Sequence, residues 1–278
     1  MNEIINYFST IPSSHRSLIL VGGITIFWLI ENAFPLFRFD YKKWNHAGIN
    51  IFFTLTTVII NFALAFVLLK SADWVIANNF GVLQWLPQMN IWLYALIGLL
   101  LLDFIGAYLA HFVGHKVKFL WRFHLIHHTD TWIDTTSANR HHPGESITRF
   151  VFTTLGVLIV GTPIWLVFMY QTLSLISTQF THANISLPKK LDSVLSYFIV
   201  SPDMHKVHHH YVLPYTDSNY GNIFSVWDRL FGTFMTLPKE AIIYGIDTHQ
   251  GHEEHNKLTN LIKIPFQKQR STEKNEQN

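Results

Sequence analysis

The sequence predicts an all-α integral membrane protein with about four transmembrane helices or hairpins. A helical cap on the cytoplasmic face is expected to carry a histidine-rich site for two metal ions. Three observations support this fold class. The chain is 49% hydrophobic and only 14% charged, well below the roughly 25% charged residues of soluble domains. Its apolar runs are long enough to cross a bilayer, and its histidines cluster where these runs end.

Four apolar stretches define the predicted spans. Residues 18–37, 49–69 and 91–112 each approach or exceed the roughly 20 residues that a helix needs to cross hydrocarbon. The fourth, 150–187, is interrupted by Gly161-Thr162-Pro163. A glycine and a proline in the middle of a long apolar run predict a helical hairpin that enters the membrane and returns.

The predicted domain organisation follows from these stretches. Residues 1–16 are an N-terminal lead-in, 17–245 form the membrane-embedded domain, and 246–278 form a polar C-terminal tail. Basic residues flank the spans on one side, which the positive-inside rule assigns to the cytoplasm. They are Arg38, Lys42, Lys43, Lys116, Lys118, Arg122, Arg149, Lys189 and Lys190.

Composition also excludes several classes of function. The formal net charge of +2, without a basic aromatic array, argues against nucleic acid as a partner. The chain has no cysteine, which excludes disulfides, thiolate zinc sites and thiol nucleophiles.

Three histidine boxes carry the chemistry. They are His111-x-x-x-His115, His124-x-x-His127-His128 and His205-x-x-His208-His209. Residues at i, i+3 and i+4 share a helix face, so each box is expected to point its imidazoles in one direction. Nitrogen-rich ligand sets favour iron, zinc, copper or nickel. Eight histidines, or ten with His142 and His182, are too many for one ion and fit two, at about four to six ligands each.

Other polar residues are expected outside the set of metal ligands. Asp103 lies about two helical turns before the first box, so it either supports the metal site or makes a hydrogen bond within the bundle. His141 is expected to be a solvated neighbour of His142, with orientation of a ligand as its alternative role. His46 is expected at the membrane interface. The tail histidines, His249, His252 and His255, are expected to be solvated.

The full set of motifs resembles the fatty acid hydroxylase/sterol desaturase superfamily, over roughly residues 45–245. Besides the boxes, the resemblance rests on four short segments. They are Arg140-His141-His142-Pro143, Thr181-His182-Ala183-Asn184, Asn219-Tyr220-Gly221 and the run Trp227-Asp228-Arg229-Leu230-Phe231-Gly232-Thr233.

This resemblance implies a membrane-bound di-iron, O2-dependent oxidoreductase that hydroxylates or desaturates an alkyl C–H bond of a sterol, fatty acyl or ether lipid. Zinc could replace iron. Asn184, Asp228 and, in their alternative roles, Asp103 and His141 are the candidates for residues that support the ligands without binding metal. The implied metal ligands are His111, His115, His124, His127, His128, His142, His182, His205, His208 and His209.

Two departures from the superfamily pattern bear on the substrate. The first box has three intervening residues where some fatty acid hydroxylases have four, and Ser186 stands where they have a histidine. Both departures favour a sterol desaturase-like or ether-lipid monooxygenase-like member over a fatty acid 2-hydroxylase. An external electron donor, a reductase with a ferredoxin or a cytochrome, is expected as a partner. The end Asn-Glu-Gln-Asn, without a retention motif, favours a bacterial inner membrane over the endoplasmic reticulum.

Two alternative functions remain at the sequence level. A histidine-lined metal transporter would place its ligands near the bilayer midplane, whereas these histidines follow the ends of spans. A catalytically inactive lipid-binding relative is the other alternative, and the complete set of boxes argues against it.

Overall fold

The computed structural model describes residues 1–268 and 270, and these residues are helical with no β-strand among them. In chain order their α-helices are α1 (Asn2–Ser9), α2 (Ser13–Ala33), α3 (Lys43–Ala77), α4 (Val82–Trp85), α5 (Ile91–Asp103), α6 (Ala110–Lys116), α7 (Lys118–His128), α8 (Pro143–Val160), α9 (Ile164–His182), α10 (Lys189–Leu195), α11 (Pro202–His208), α12 (Val226–Leu230), α13 (His252–Asn256) and α14 (Leu258–Lys263).

Three segments are long and apolar enough to cross a membrane, and all three match predicted spans. They begin at Ser13, Lys43 and Ile91, and the third continues to Lys116. The second of these segments, α3, extends beyond the predicted end at residue 69 as far as Ala77. The extension is stable because Ala72 and Val75 on its inner face are fully buried.

The predicted break at Gly161 separates helices α8 and α9, and both helices pack against α5. That this pair enters the membrane and returns stays a prediction. Gly161 ends α8 in the left-handed conformation with φ of 74°. A side chain there would also collide with the neighbouring loop, since an added Cβ would lie 2.4 Å from the carbonyl oxygen of Phe80. Pro163 then precedes the first turn of α9.

A π-helix, Phe104–Leu109, interrupts the third span immediately before the first histidine box. The interruption lies between α5 and α6, which would otherwise form one continuous helix. Each extra residue in a π-helical turn rotates the side chains that follow. The π-helix therefore sets the direction in which His111 and His115 leave the third span.

The C-terminal segment is packed on the domain rather than solvated as predicted. Leu261 and Ile264 join a buried apolar cluster with Phe53 of α3 and Ile126 of α7. His249 and His255 are each only 6% exposed. The side chain of His252 lies outside the described part of the chain. Burial of apolar side chains of this segment and of the helices beneath it holds the segment in place. The division of the chain at residue 245 stays a prediction.

Candidate metal centre

Four helices bring nine histidines together at one end of the bundle. Helix α6 carries the first box, α7 the second and α11 the third, while α9 ends at His182. Ser201 caps α11 by accepting a hydrogen bond from the Met204 amide at 3.3 Å, and Pro202 occupies its first turn. The Ser-Pro pair therefore starts the third-box helix.

The nine histidines form two separate groups, and within each group the ligand atoms lie within 4.8 Å of one another. We call them the five-histidine group and the four-histidine group. The first consists of His111, His115, His124, His128 and His208, and the second of His127, His182, His205 and His209.

The second and third boxes are each divided between the two groups. In the second box the i,i+4 pair His124 and His128 joins the five-histidine group, and His127 joins the other. The third box does the reverse, since the pair His205 and His209 joins the four-histidine group. The expectation that each box points in one direction is therefore wrong for these two boxes. Because each of them contributes to both groups, the two groups lie side by side.

Hydrogen bonds at Nδ1 fix which nitrogen of several histidines faces the centre. The Nδ1 atoms of His111, His208 and His182 lie 2.9, 2.6 and 2.8 Å from the backbone carbonyls of Tyr220, Ser218 and Thr178. A carbonyl oxygen can only accept, so Nδ1 must carry the hydrogen. The Nε2 atoms of these rings are then left with a lone pair directed into the site.

Two carboxylates act in the same way on the five-histidine group. Glu145 Oε1 lies 2.8 Å from His124 Nδ1, and Asp217 Oδ1 lies 3.1 Å from His115 Nδ1. The Glu145 side chain is 6% exposed and that of Asp217 is 28% exposed. Carboxylates on the outer nitrogen fix ring orientation and increase the basicity of the inner nitrogen. Neither residue was predicted.

The resulting arrangement brings lone pairs face to face. His111 Nε2 and His124 Nε2 are 3.1 Å apart, and both lack a hydrogen because each ring donates from Nδ1. In the four-histidine group, His182 Nε2 lies 3.1 to 3.2 Å from Nε2 of His127, His205 and His209. One lone pair cannot satisfy three buried ring nitrogens, whereas a cation at the centre would satisfy all of them.

These spacings fit metal coordination. Nitrogens bound at about 2.0–2.1 Å to one ion lie about 2.9–3.4 Å from each other in octahedral or tetrahedral geometry. The observed 3.1 and 3.2 Å separations fall in that range. The Nε2 atoms of His115 and His208 are buried without a hydrogen-bond partner among the described residues. An unpaired buried nitrogen beside four others is the environment of a ligand.

Burial keeps the imidazoles neutral, as ligation requires. Burial, and then the neighbouring histidines, lowers the pKa of His127, His205 and His209 well below its usual value. Burial lowers the pKa of His208 to about 3. The site therefore offers lone pairs rather than positive charge at neutral pH.

The loop after the third box is fixed by two buried acids that the sequence singled out. Asp103 Oδ1 and Oδ2 accept the amide hydrogens of Ile223 and Phe224 at 3.2 and 3.1 Å. Asp228 accepts those of Tyr220 and Gly221 at 2.7 and 2.8 Å. Since the Tyr220 carbonyl bonds His111, both acids support the site through the backbone. Asp103 thus combines the two roles considered for it.

His141 and His142 are placed differently from the prediction. His142 lies outside both groups. Its Nδ1 accepts the Gly144 amide at 3.1 Å and caps α8. His141 instead faces the site, with its ring 5.0 Å from that of His127 and its Nε2 3.6 Å from Glu145. Pro143 occupies the first turn of α8, so His142 takes the capping position and is turned away from the site.

A buried ionic network lies beneath the second box and corrects the interfacial position predicted for His46. This residue is 2% exposed, and its Nε2 is 2.9 Å from the carboxylate of Asp130. Arg140 is fully buried and donates to the carbonyls of Ile126 and His255 at 3.2 and 2.7 Å. The network joins α3, the end of α7 and the C-terminal segment.

A cavity of about 20 Å³ lies between the two histidine groups. That is enough for a water-sized molecule. Its polar lining includes Thr178, Thr181 and Asn222 from α9 and the loop after α11, and Arg149 from α8. It also contacts His127, His141, His182, His205, His111 and His124. A small molecule in this cavity would touch both groups at once.

The fold and site together define a helical membrane protein with two adjacent histidine clusters that could bind metal. Residues 95–233, half of the chain, match the model of the fatty acid hydroxylase family. The chain belongs to this family, as the resemblance of its histidine boxes indicated. No solved structure matches the chain.

Known relatives are enzymes that act on lipids. The chain is 28% identical over 158 residues to ornithine lipid hydroxylase OlsE of Rhizobium tropici, covering 56% of this chain and 46% of that protein. It is 29% identical over 172 residues to alkylglycerol monooxygenase of Danio rerio, covering 62% and 36%. A cholesterol 25-hydroxylase-like protein of Danio rerio is 26% identical over 167 residues, covering 55% and 59%. The chain thus matches between about a third and three-fifths of these relatives' lengths.

Proposed function

We propose that this protein is a membrane-bound di-iron oxidoreductase that uses O2 to hydroxylate an alkyl C–H bond of a lipid. The observation that carries the proposal is the pair of histidine groups, in which buried lone pairs face each other across 3.1 to 3.2 Å. Nitrogen-only sites of this kind suit iron, and the family and the names of its relatives favour iron over zinc for oxidation. The nine histidines of the two groups are the proposed ligands.

Iron would supply the oxidising chemistry, and the protein residues supply the position and surroundings of the substrate. Outer hydrogen-bond acceptors hold the imidazoles in one tautomer. The cavity between the groups gives a small molecule access to both. Leu102, at the end of α5 that leads toward the first box, is fully buried. Apolar side chains around the site would keep bulk water away from the reacting carbon.

Hydroxylation is proposed rather than desaturation because the matched relatives are named as hydroxylases and monooxygenases. We further propose that the site faces the cytoplasm of a bacterial inner membrane, where the basic residues of the predicted spans lie. Two electrons per turnover would come from an external reductase with a ferredoxin or cytochrome.

The test is lipid product analysis in cells that express the protein. We expect lipids heavier by one oxygen atom to appear with the wild-type chain and to disappear with His127→Ala. The matched control is His15→Ala, because His15 is exposed and lies at the start of α2. Unchanged products in His127→Ala, or no oxygenated lipid from the wild type with its electron donor supplied, would contradict the proposed activity.

A further inference from the structure

A lysine lies within the third histidine box and is completely buried. Lys206 has no exposed surface, and among the described residues no carboxylate forms an ion pair with it. Its Nζ instead donates to the carbonyl of Ala183 at 2.7 Å and lies 3.5 Å from that of Thr181. An ammonium group is costly to bury, and these carbonyls stabilise it together with the nearby carboxylates of Asp203, Asp192 and Glu31.

The same turn is held from its other side by an acid of the first span. Glu31 is 3% exposed, and its Oε2 accepts the amide hydrogens of Asn184 and Thr135 at 3.0 and 3.1 Å. Asn184 adds a second attachment, since its side chain bonds both backbone groups of Phe37 at 2.7 and 3.0 Å. A charged group in a span is expected to have such a partner.

Residues 181–184, which we call the His182 turn, thus lie between Lys206 and Glu31. His182 is the member of the four-histidine group whose Nε2 contacts the other three, at 3.1 to 3.2 Å. It comes from α9, whereas the others come from α7 and α11. The five-histidine group takes no ligand from this turn.

We propose that Lys206 and Glu31 are positioning residues for His182, so that their loss empties the four-histidine group while the five-histidine group keeps its metal. This inference rests on the proposed function, because it takes both groups to be metal sites. Lys206 couples the turn to the helix of His205 and His209, and Glu31 couples it to the first span. Without them, the end of α9 is free to move by more than coordination geometry tolerates.

The experiment counts metal ions per chain in detergent-purified full-length protein after dialysis against a chelator. We expect about two in the wild type and about one in Lys206→Met, since displaced ligands lower metal affinity by about 10–100-fold. Lys190→Met is the matched control, because Lys190 is exposed and its loss leaves about two.

Glu31 provides an independent pair of variants in case Lys206→Met does not fold. Glu31→Leu removes the acceptor for both amide hydrogens, and we expect it to lower the metal count to about one. Glu31→Gln keeps an acceptor oxygen at the same place, so it should retain about two. If these residues only stabilised the bundle as a whole, their loss would lower the metal content of both groups together.

Double variants identify which group has lost its metal. If Lys206 serves the four-histidine group, adding Lys206→Met to His205→Ala should cause no further loss of metal. Adding Lys206→Met to His208→Ala should leave almost no metal. Two metals in both Lys206→Met and Glu31→Leu would overturn the inference but leave the proposed function standing. A wild type without metal would overturn both.

Discussion

The two carboxylates that contact the five-histidine group provide a quantitative test of how the site is built. Glu145→Gln keeps the shape of the side chain and an acceptor oxygen but removes the charge beside His124 Nδ1, at 2.8 Å. Asp217→Asn does the same beside His115 Nδ1, at 3.1 Å. Both changes reduce the basicity of a proposed ligand. Each acid also has a cation nearby, Arg149 at 3.9 Å from Glu145 and Lys116 at 2.5 Å from Asp217, but Asp217 is more exposed and closer to its cation.

Exposure sets the expected size of each effect. Loss of such a partner typically lowers metal affinity by about 10–100-fold, which corresponds to about 1.4–2.7 kcal/mol. Glu145, with its side chain 6% exposed, should fall within that range. Asp217 is 28% exposed and already pairs with Lys116 at 2.5 Å. Because water and this cation screen it, we expect at most about a tenfold loss.

The assay is competition between the purified protein and a chelator of known affinity, with Asp73→Asn, an exposed change on α3, as the control. Only the metal of the five-histidine group should respond, because the four-histidine group contacts neither acid. Equal losses in the two variants, or a larger loss in Asp217→Asn, would refute the link between burial and the strength of these partners.

Three further predictions follow from single contacts. His142→Ala should keep the wild-type metal count, because His142 caps α8 and lies outside both groups; a lost metal would restore it as a ligand. Gly161→Ala should lower the free energy of unfolding by about 1–2 kcal/mol or more because of its left-handed φ alone, as measured by thermal unfolding in detergent. The control Gly156→Ala should be neutral or stabilising, because its added Cβ would lie 3.5 Å from the nearest atom. Arg140→Met should destabilise by about 3–5 kcal/mol, because it leaves Asp130 partly uncompensated in a buried network; an unchanged unfolding midpoint would show that His46 alone balances that charge.

The apolar runs of the sequence predicted the spans well because length and hydropathy are local properties. The three spans and the break at Gly161 were visible as patterns, although α2 and α3 begin at Ser13 and Lys43, before the predicted starts at residues 18 and 49. The end of α3 was not, because Ala72 and Val75 are stabilised by contacts with distant helices. The packing of Leu261 and Ile264 on α7 was missed for the same reason.

The sequence predicted the ligands of the candidate site better than the residues that hold those ligands in place. Box spacing identified eight of the nine histidines that the structure brings together, and the segment Thr181-His182-Ala183-Asn184 supplied the ninth. It could not divide them into two groups, because that division depends on how α7 and α11 face each other. Glu145 and Asp217 gave no periodic signal, and Lys206 seemed an ordinary basic residue.

The most direct test of the central claim is the metal content of two variants at adjacent positions. His127 and His128 follow one another in α7 but belong to different groups. After dialysis against a chelator, the wild type should retain about two iron ions, each single alanine variant about one, and the double variant almost none. A wild type with one metal ion, or two single variants that both lose all metal, would contradict the presence of two separate histidine sites.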